Sequence, residues 1–437
     1  MKLEINLSKD IGPFFNLEDE LLVVQIHGTL EGVLEKAKIE KHLQKKLHVL
    51  NSKIEFFRRK NNVLLRISSD SELPSKHQII NYLDAIISIE LYNNLKNRYT
   101  GRKVIYITEE SNVPLMGSIY FGIIDRGTNL LQVRPITGCL LNCPFCSVDE
   151  GPRSKSRIID YIIEPEYLIQ ETKKIIDVKG VNDIEIHLDG QCEPLTYPYI
   201  IELIEAFSNN QNVKVISMQT NGVLLDKKKV QKLEEVGLTR LNLSINTLDK
   251  YQARFLAGIK EYNLNKILKI INLIKNSNID LLIAPVIIPN INEDQIEPII
   301  RFILDKNIKG EWPIFGFQNY VPHKFGRKMN VKPKPFSDFY KELSILEKKY
   351  ETKLVLTPSD FNIYKTKSVE NPIKKNSIVE TEIILPGRLH LNDFQPEMLG
   401  KAKNRLIHII NCNSNIGDKR KVYVFRNKHN INYAKMD

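Results

Sequence analysis

The stretch TGCLLNCPFCSVDEG, residues 137–151, contains three of the five cysteines in a chain of 437 residues. Cys139, Cys143 and Cys146 have the spacing C-x3-C-x2-C. Disulfide bonds explain this poorly, because three is an odd number, the loop is short, and the N-terminus lacks the unbroken apolar run of a signal peptide. The sequence contains no run of about eighteen apolar residues, which is the length needed to span a membrane. We therefore expect a cytoplasmic protein whose clustered thiols are metal ligands or catalysts.

Two kinds of metal centre suit three thiolates on one short loop. Such a loop can bind three irons of a [4Fe–4S] cluster, and the missing fourth ligand leaves one iron open to a small molecule. A zinc ion is the alternative, although structural zinc sites normally have four protein ligands, and no histidine or fourth cysteine lies nearby in the sequence. The spacing favours the iron–sulfur cluster.

The net charge of the chain is +11, and most of it lies near the C-terminus. Residues 361–437 contain 14 Lys and Arg against 7 Asp and Glu, whereas residues 1–115 contain 17 against 15. The composition is otherwise that of an ordinary globular protein, with 42% hydrophobic and 26% charged residues. The basic C-terminal region indicates a polyanionic partner.

Between about residues 130 and 320, segments with strand character alternate with helical patterns, which predicts an α/β fold with a parallel sheet. The candidate strands are NLLQVRP, DIEIHLDG, VKVISMQT, TRLNLSI, IDLLIAPVII and PIFGFQNY. One face of these strands is polar; in DIEIHLDG it carries Glu185, His187 and Asp189. Helix-covered parallel strands are normally apolar on both faces, so this pattern predicts a lumen that binds a polar ligand. His187 itself is expected to be a hydrogen-bonded structural histidine.

The pattern predicts three domains. Residues 1–115 mix short strands and helices as an N-terminal α+β domain, and residues 116–365 contain a partial (βα)6 barrel of the TIM type. Residues 376–437 alternate short strands with turns, which predicts a small antiparallel β-barrel. Within the second domain, TKLVLTPS (residues 352–359) is expected to form a strand.

The cysteine loop resembles the signature of the radical S-adenosylmethionine (SAM) superfamily, with Phe145 at the usual aromatic position before the third cysteine. DGQCEPL (residues 189–195) is similar to the family's Gly-Gly-Glu-Pro strand end, with Cys192 where a glycine is common. QTNG (residues 219–222) and LNLSINTLD (residues 241–249) are similar to the next two strand ends of that barrel.

This resemblance covers about residues 125–330 and implies a fold, two cofactors and a set of site residues. The core would be a partial (βα)6 barrel of the radical SAM kind, with a [4Fe–4S] cluster and SAM as cofactors. A reductase or ferredoxin would supply the electron that cleaves SAM to a 5′-deoxyadenosyl radical. Glu193 would bind the methionine amino group, and Ser244 and Asn246 would face the ribose and carboxylate. The implied metal ligands are Cys139, Cys143 and Cys146, and the implied SAM contacts are Glu193, Gln219, Asn221, Ser244 and Asn246.

The two remaining cysteines, Cys192 and Cys412, bear on the subclass of enzyme. They are too few for a second iron–sulfur cluster. A cysteine pair carries a methyl group in the ribosomal-RNA methylating branch of the superfamily, and this would make Cys192 and Cys412 catalytic. The alternative is that both are small buried thiols.

The C-terminal segment resembles a TRAM or OB-type barrel, a module attached to several RNA-modifying enzymes. In KVYVFR, Lys421, Tyr423 and Phe425 share one strand face, which is the combination that base stacking and phosphate pairing require. Arg388 is among the basic residues expected to add electrostatic attraction. Arg327 is a candidate contact for a substrate phosphate, with a plain surface turn as the alternative. The predicted RNA-binding residues are Arg405, Lys419, Arg420, Tyr423, Phe425 and Arg426; the alternative is a solvated basic face.

Three functions follow from these patterns. The first is a radical SAM transferase that modifies transfer or ribosomal RNA, with methylation as one form of the modification. The second keeps the same chemistry on a small-molecule intermediate or a peptide. The third is a zinc-stabilised RNA-binding protein without enzymatic activity. The basic C-terminal region favours the first.

Overall fold

The computed structural model describes residues 1–47, 52–389 and 396–437. The chain forms two compact units, Met1–Ile105 and Tyr106–Asp437. Among the helices in these described ranges, none is long and apolar enough to cross a membrane.

The first unit is an α+β domain, as the sequence predicts. One antiparallel sheet has the strand order β1-β6-β5, and a second, also antiparallel, contains β2, β3, β4, β7 and β8. Leu43 of α2 and Leu83 of α3 pack into a single apolar core with strand residues such as Leu65. The elements are β1 Lys2–Asn6, α1 Leu7–Asp10, β2 Phe14–Glu18, β3 Leu21–Ile26, β4 Leu30–Glu35, α2 Lys36–Leu47, β5 Lys53–Arg59, β6 Asn62–Ser68, α3 Lys76–Asn94, β7 Lys96–Asn97 and β8 Lys103–Ile107.

The second unit contains the predicted α/β core. Its elements are β9 Gly122–Asp125, β10 Leu130–Arg134, β11 Ile159–Ile163, α4 Pro165–Lys179, β12 Ile184–Leu188, α5 Ile200–Ser208, β13 Val213–Thr220, α6 Lys227–Glu235, β14 Arg240–Leu243, α7 Lys250–Ala257, α8 Leu264–Lys275, β15 Asp280–Ile283, β16 Val286–Ile287, α9 Ile296–Leu304, β17 Gln318–Asn319 and α10 Phe336–Tyr350. The central sheet has the order β15-β14-β13-β12-β10-β9; β9 is antiparallel to β10, and the other neighbours are parallel. The carboxyl ends of five parallel strands therefore lie along one edge, where (βα) enzymes build their sites.

The sixth strand of the barrel is shorter than its sequence predicts. Ile283 pairs with the segment before β17 through two backbone hydrogen bonds of 2.8 Å each, and β16 then pairs with β17. Pro285 interrupts this ladder between Ile283 and β16, because proline has no backbone N–H to donate. The barrel is thus completed by a broken parallel pair rather than by one long strand.

The segment TKLVLTPS is not a strand in the structure. The backbone N–H groups of Leu354 and Val355 donate to the carboxylate of Glu347 on α10, at 2.7 and 2.8 Å. Those donors are therefore satisfied by a side chain instead of a neighbouring strand. A 3-10 turn, Pro358–Phe361, follows directly.

The C-terminal segment closes into a small β-barrel, as the sequence predicts, but it is not fully antiparallel, because β20 and β22 pair in parallel. Its strands are β18 Ser377–Pro386, β19 Met398–Ala402, β20 Arg405–Ile410, β21 Lys419–Arg426 and β22 Tyr433–Met436, in the closed order β18-β19-β20-β22-β21. Val422 and Val424 of β21 are buried in the barrel core, and Tyr423 between them points to the other face. The period-two alternation that predicted the barrel thus also sets which residues of β21 face outward.

The polar side chains of the core strands bind largely to one another. One oxygen of Glu185 accepts hydrogen bonds from Arg240 and from the hydroxyl of Ser217. His187 Nδ1 lies 2.7 Å from the same hydroxyl, and burial lowers the pKa of this histidine. His187 is thus a hydrogen-bonded histidine, as expected. These contacts join Glu185, Ser217, His187 and Arg240 inside the barrel, although Glu185 Oε2 and Arg240 Nη1 have no hydrogen-bond partner among the described residues.

Candidate active site

The cysteine loop follows β10 and is fixed by unusual backbone positions. Gly151 has a φ of +109°, and a Cβ on it would lie 2.0 Å from the carbonyl oxygen of Leu141. Gly138 also has a positive φ, of +99°. Its N–H donates to Gln191 O and its carbonyl accepts from Glu193 N, both at 2.9 Å. Glycine at both positions lets the loop fold back on itself and joins it to the end of β12.

Cys139, Cys143 and Cys146 line one cavity of about 380 Å³. Cys139 and Cys143 also line a second, smaller cavity of about 170 Å³. Burial raises the pKa of all three thiols, to about 12 for Cys143. Backbone N–H groups of Leu141 and Glu150 lie 3.4 Å from the sulfurs of Cys139 and Cys146 respectively. Three soft donors with nearby N–H groups suit iron–sulfur ligation, because a bound cationic cluster keeps such thiols deprotonated.

Ligands of a single ion converge on one point. In the described ranges of the chain, no group of three or more His, Cys, Asp or Glu side chains converges in a way that could hold a single metal ion. Thiolates of a [4Fe–4S] cluster each bind a different iron, so they do not need to converge.

The smaller cavity gathers every predicted SAM contact. It is lined by Glu193, Gln219, Asn221, Ser244 and Asn246, which come from the carboxyl ends of three neighbouring strands. Gln219 Nε2 donates to Ser244 Oγ at 3.0 Å, and Asn246 Oδ1 accepts from the backbone N–H of Val286 at 2.8 Å. The cavity therefore presents polar groups whose orientation is already set by hydrogen bonds.

Glu193 is the carboxylate of this cavity. It accepts hydrogen bonds from Thr220 Oγ1 at 2.6 Å, from Asn221 N at 2.8 Å and from Leu195 N at 3.2 Å. Burial raises its pKa to about 7, although these hydrogen bonds favour the ionised form. An ammonium group bound beside it would favour the carboxylate further. The side chain is thus prepared for a cationic ligand such as an amino group.

Comparison with known proteins identifies the family of this site. The sequence profile of the radical SAM superfamily matches residues 133–303. A protein of Methanocaldococcus jannaschii, described as uncharacterized, is 42% identical over 373 residues, which cover 80% of this chain and 84% of that protein. The chain belongs to the radical SAM superfamily. Membership confirms the predicted cofactors, a [4Fe–4S] cluster and SAM, and favours the cluster over a zinc ion at the cysteine loop.

Other relatives of this radical SAM enzyme match it over shorter stretches. The GTP 3′,8-cyclase of Alkaliphilus oremlandii is 30% identical over 190 residues, and that of Aquifex aeolicus is 29% identical over 179 residues. The chain spans about half the length of these cyclases, 56% and 54%, and the matches cover 43% and 41% of this chain. Among solved structures, methylornithine synthase has a TM-score of 0.37 at 17% identity, covering 53% of this chain and 62% of that one.

The two cysteines outside the cluster loop lie in different places in this radical SAM fold. Cys192 lines both cavities, and burial raises the pKa of its thiol. Cys412 is fully buried in the core of the β-barrel, with its sulfur 3.7 Å from that of Met436. The structure therefore does not bring the two together at one cavity, as a pair that shares a methyl group would need to be.

Five of the six predicted RNA-binding residues lie on β21, and four of these five form no strong ion pair within the described part of the chain. Tyr423 and Phe425 are half-buried on its outer face, and Lys419 and Arg426 are exposed. Arg420 forms an ion pair with Asp418 at 2.6 Å. Arg405, on β20, donates to the carbonyl oxygens of Asn404 and Glu370, both at 2.9 Å. Arg420 is thus paired within the barrel, and Arg405 is engaged by its neighbour Asn404 and by Glu370, which precedes the barrel strands.

Arg388 does not contribute to a basic surface, contrary to the expectation from sequence. Its side chain is fully buried and binds both oxygens of Glu150, as well as Asp160 at 2.7 Å and Gln191 at 3.0 Å. Glu150 belongs to the cysteine loop, 238 residues away in the sequence. No local pattern around Arg388 indicates this partner.

Sequence reasoning also missed residues on the wall of the smaller cavity. Thr220 and Tyr262 line it. Thr220 directly precedes the predicted contact Asn221, but the alternation of β13 places it on the face opposite Gln219, so periodicity does not indicate it. Tyr262 lies in a loop without periodicity, so its place depends on the tertiary structure alone.

Proposed function

We propose that this radical SAM enzyme modifies RNA, either transfer or ribosomal. The observation that carries the proposal is the outer face of the C-terminal barrel on β21 and β22. Tyr423 and Phe425 of β21 lie there. Tyr433 of β22, whose ring centroid is 6.3 Å from that of Phe425, is half-buried and stacks on the buried His408 at 4.7 Å, so one side of its ring is already covered. Aromatic rings on a basic surface are what base stacking requires.

Cations accompany these rings. The ammonium of Lys435 is 5.8 Å from the centroid of the Tyr423 ring, and the guanidinium of Arg426 is 5.9 Å from that of Tyr433. Lys435 and Arg426 are both exposed, so they can also reach phosphates. A small closed barrel with this face supports the TRAM or OB-like assignment of the module.

The larger cavity supports a substrate that presents one nucleotide at a time. Its volume of about 380 Å³ lies at the lower end of ligand pockets. Besides the three thiols, it is lined by polar residues at the end of the barrel, including Gln318, Asn319 and His323. A cluster bound by the three thiols would occupy part of this space. The remainder is too small for folded RNA, and we propose that it receives a base removed from its stack.

The residues of the chain have distinct tasks in this proposal. The bound cluster and SAM supply one-electron cleavage of a carbon–sulfur bond and hence a carbon radical. Glu193 would bind the amino group of SAM, and Ser244 and Asn246 would hold its ribose and carboxylate in the smaller cavity. The cavity walls would hold the substrate C–H close to the radical. Cys192, between the two cavities, is the cysteine placed to contact a substrate.

A free nucleotide is the second candidate substrate. The relatives named GTP 3′,8-cyclase favour it, because their similarity covers the barrel that carries both cavities. The barrel face on β21 and β22 would then be a solvated basic surface.

The test compares nucleosides from transfer and ribosomal RNA of a deletion strain and its parent by mass spectrometry. RNA modification predicts one nucleoside that is lost in the deletion, restored by the wild-type gene and not by Cys143→Ala. Identical profiles at full coverage would reject RNA and favour a free nucleotide or a peptide.

The barrel face is tested separately by RNA binding. The double variant Tyr423→Ala, Phe425→Ala should bind substrate RNA at least about tenfold more weakly, because each stacked base contributes about 1–3 kcal/mol. Ile345→Ala, which removes an exposed apolar side chain on α10, is the matched control and should bind like the wild type. Equal binding by all three proteins would exclude this face as the RNA contact.

A further inference from the structure

Arg327, in the segment after β17, reaches back to the cysteine loop with its whole side chain. Its Nη1 donates to the carbonyl oxygen of Cys143 at 3.0 Å, and its Nη2 donates to that of Glu150 at 2.7 Å. Its Nε donates to Asp149 Oδ1 at 2.8 Å. The backbone N–H of Arg327 adds a fourth bond, to the carbonyl oxygen of Cys146 at 2.8 Å.

The neighbours of Arg327 also lie against this loop. A Cβ on Gly326 would lie 2.5 Å from the carbonyl oxygen of Ser147, so the two backbones are in close contact. Phe145 of the loop packs in one apolar cluster with Met329 and Val331. The segment is therefore fixed on the loop by polar contacts at Arg327 and by apolar contacts after it.

We propose that Arg327 is a positioning residue for the iron–sulfur cluster. It fixes the backbone on both sides of Cys146 and places a positive charge beside the thiolate loop, which favours the reduced cluster. The planar guanidinium suits this task, because its donors diverge at fixed angles and can bind separate acceptors at once. The loop has little regular secondary structure, so its carbonyl groups depend on such donors.

The positive charge of Arg327 shifts the reduction equilibrium toward the reduced cluster. Reduction adds an electron to a centre bound by three thiolates, and a nearby guanidinium stabilises that added negative charge. Asp149 offsets part of the effect, but Ser154 and Ser156 also donate to its carboxylate and share its charge. Arg327 is not among the described residues that line either cavity, so its effect on the cluster passes through the loop and the electric field.

The experiment uses the full chain reconstituted with iron and sulfide without oxygen. Three variants are compared with the wild type: Arg327→Met removes the charge and the hydrogen bonds, Arg327→Lys keeps the charge but cannot bind both carbonyl groups, and Lys328→Met removes the exposed charge next to it. The measurements are iron per chain, the electron paramagnetic resonance spectrum of the reduced cluster and a redox titration without SAM.

Arg327→Met should shift the reduction equilibrium about tenfold toward the oxidised cluster, which is about 59 mV for one electron. Arg327→Lys should keep most of the potential but change the resonance spectrum and lower the iron content about twofold. Lys328→Met should match the wild type in all three measurements.

Wild-type potential and spectrum in both Arg327 variants would overturn the proposal. Circular dichroism checks folding; if Arg327→Met is unfolded, the spectrum and iron content of Arg327→Lys decide. The inference does not depend on RNA as the substrate. A wild-type chain that binds no cluster would instead contradict the cofactor assignment itself, so the two failures are distinguishable.

Discussion

The thiols of the cysteine loop are buried in surroundings that oppose a negative charge. Burial raises the pKa of Cys139, Cys143 and Cys146, and it outweighs the opposing effect of the backbone N–H groups that lie 3.4 Å from two of the sulfurs. The cluster has to supply the positive charge that keeps these sulfurs ionised. The loop therefore depends on its metal centre for its charge balance.

Replacing one of these ligands should remove the chemistry and leave the fold. We expect Cys143→Ala to lose its brown colour and to reduce formation of 5′-deoxyadenosine by at least about 100-fold, because loss of a ligand exceeds loss of an outer partner. The measurement is deoxyadenosine produced by the reconstituted protein with dithionite and SAM. Cys412→Ala, the same substitution in the barrel core, should retain cluster and activity. Deoxyadenosine formation by Cys143→Ala at the wild-type rate would show that the cluster is bound elsewhere.

Glu193 should matter for SAM affinity. Glu193→Gln keeps the shape of the side chain but removes its charge, and a hydrogen bond to a charged group contributes about 1.5–3 kcal/mol. We expect the dissociation constant for SAM to rise about 10- to 150-fold, measured by equilibrium dialysis on the reconstituted protein. Glu205→Gln, at an exposed position on α5, should leave it unchanged. Equal SAM affinity in both variants would assign the amino group to another residue.

At the scale of elements, two helix ends test how the cysteine loop is packed. Gly180 ends α4 with a φ of +64°, and Gly258 ends α7 with a φ of +68°. A Cβ on Gly180 meets nothing within 4 Å, whereas one on Gly258 would lie 2.0 Å from the carbonyl oxygen of Asn142. Asn142 lies between the predicted ligands Cys139 and Cys143 in the sequence. The two glycines thus share a backbone conformation and differ in their contact with the loop.

We expect Gly180→Ala to lower the free energy of unfolding by about 1 kcal/mol, the strain of a left-handed residue. Gly258→Ala should lower the free energy of unfolding by about 1–3 kcal/mol more than Gly180→Ala does, because the new methyl group has no space. It should also bind less iron per chain, since the displaced Asn142 moves the loop. Urea unfolding and iron analysis measure both effects. Equal losses in the two variants would contradict a specific contact between α7 and the loop.

The central elements show where periodic patterns succeed and where they fail. The helical pattern PEYLIQETKKIIDV matches α4, which begins at Pro165 and ends at the left-handed Gly180, as the helix signals predict. TKLVLTPS fails, because the carboxylate of Glu347 satisfies two backbone N–H groups that a strand would otherwise use. Hydrogen bonds from backbone N–H groups to a distant side chain cannot be recognised from a pattern of apolar residues.

At the scale of the whole molecule, buried polar contacts join the C-terminal barrel to the α/β core within the second unit. Glu397, just before β19, lies 2.7 Å from Nδ1 of the barrel residue His408 and accepts a hydrogen bond from Tyr120 of the core. The rings of Tyr120 and His408 are in edge contact at 4.7 Å. Such a network stabilises one arrangement of the two parts, because breaking it leaves buried polar groups unpaired.

This network predicts a pH dependence of stability. Burial acts to raise the pKa of Glu397, but hydrogen bonds from His408 and Tyr120 outweigh it and lower the pKa below the usual value of 4.5. A carboxyl group with a lowered folded pKa stabilises the fold above its unfolded pKa, and this stabilisation is lost as the pH falls through the folded value. The advantage of the wild type over Glu397→Gln should therefore shrink below about pH 4.

Urea unfolding followed by circular dichroism, across the acid range, measures this difference. Both proteins carry the same cluster, so its own acid sensitivity cancels in the comparison. Glu382→Gln, at an exposed position on β18, should differ from the wild type by the same small amount at every pH. A constant gap between the wild type and Glu397→Gln would show that the pKa of Glu397 is the same in the folded and unfolded protein, which would contradict the prediction.

The sequence by itself determined the features that depend on near neighbours. The spacing of Cys139, Cys143 and Cys146 sets the ligands that one loop offers, and period-two alternation sets which side of β21 faces outward. The predicted SAM contacts follow from the family resemblance, and they line one cavity because they lie at the carboxyl ends of three neighbouring parallel strands.

The tertiary structure alone decided the contacts between distant segments. Arg388 binds Glu150 across 238 residues, Arg327 reaches the cysteine loop across more than 170, and Cys412 lies in the barrel core instead of beside Cys192. The physical reason is that such pairs depend on how the barrel and the loops pack in space. A buried arginine and an exposed arginine can have the same local sequence pattern, so the pattern does not indicate which of them is buried.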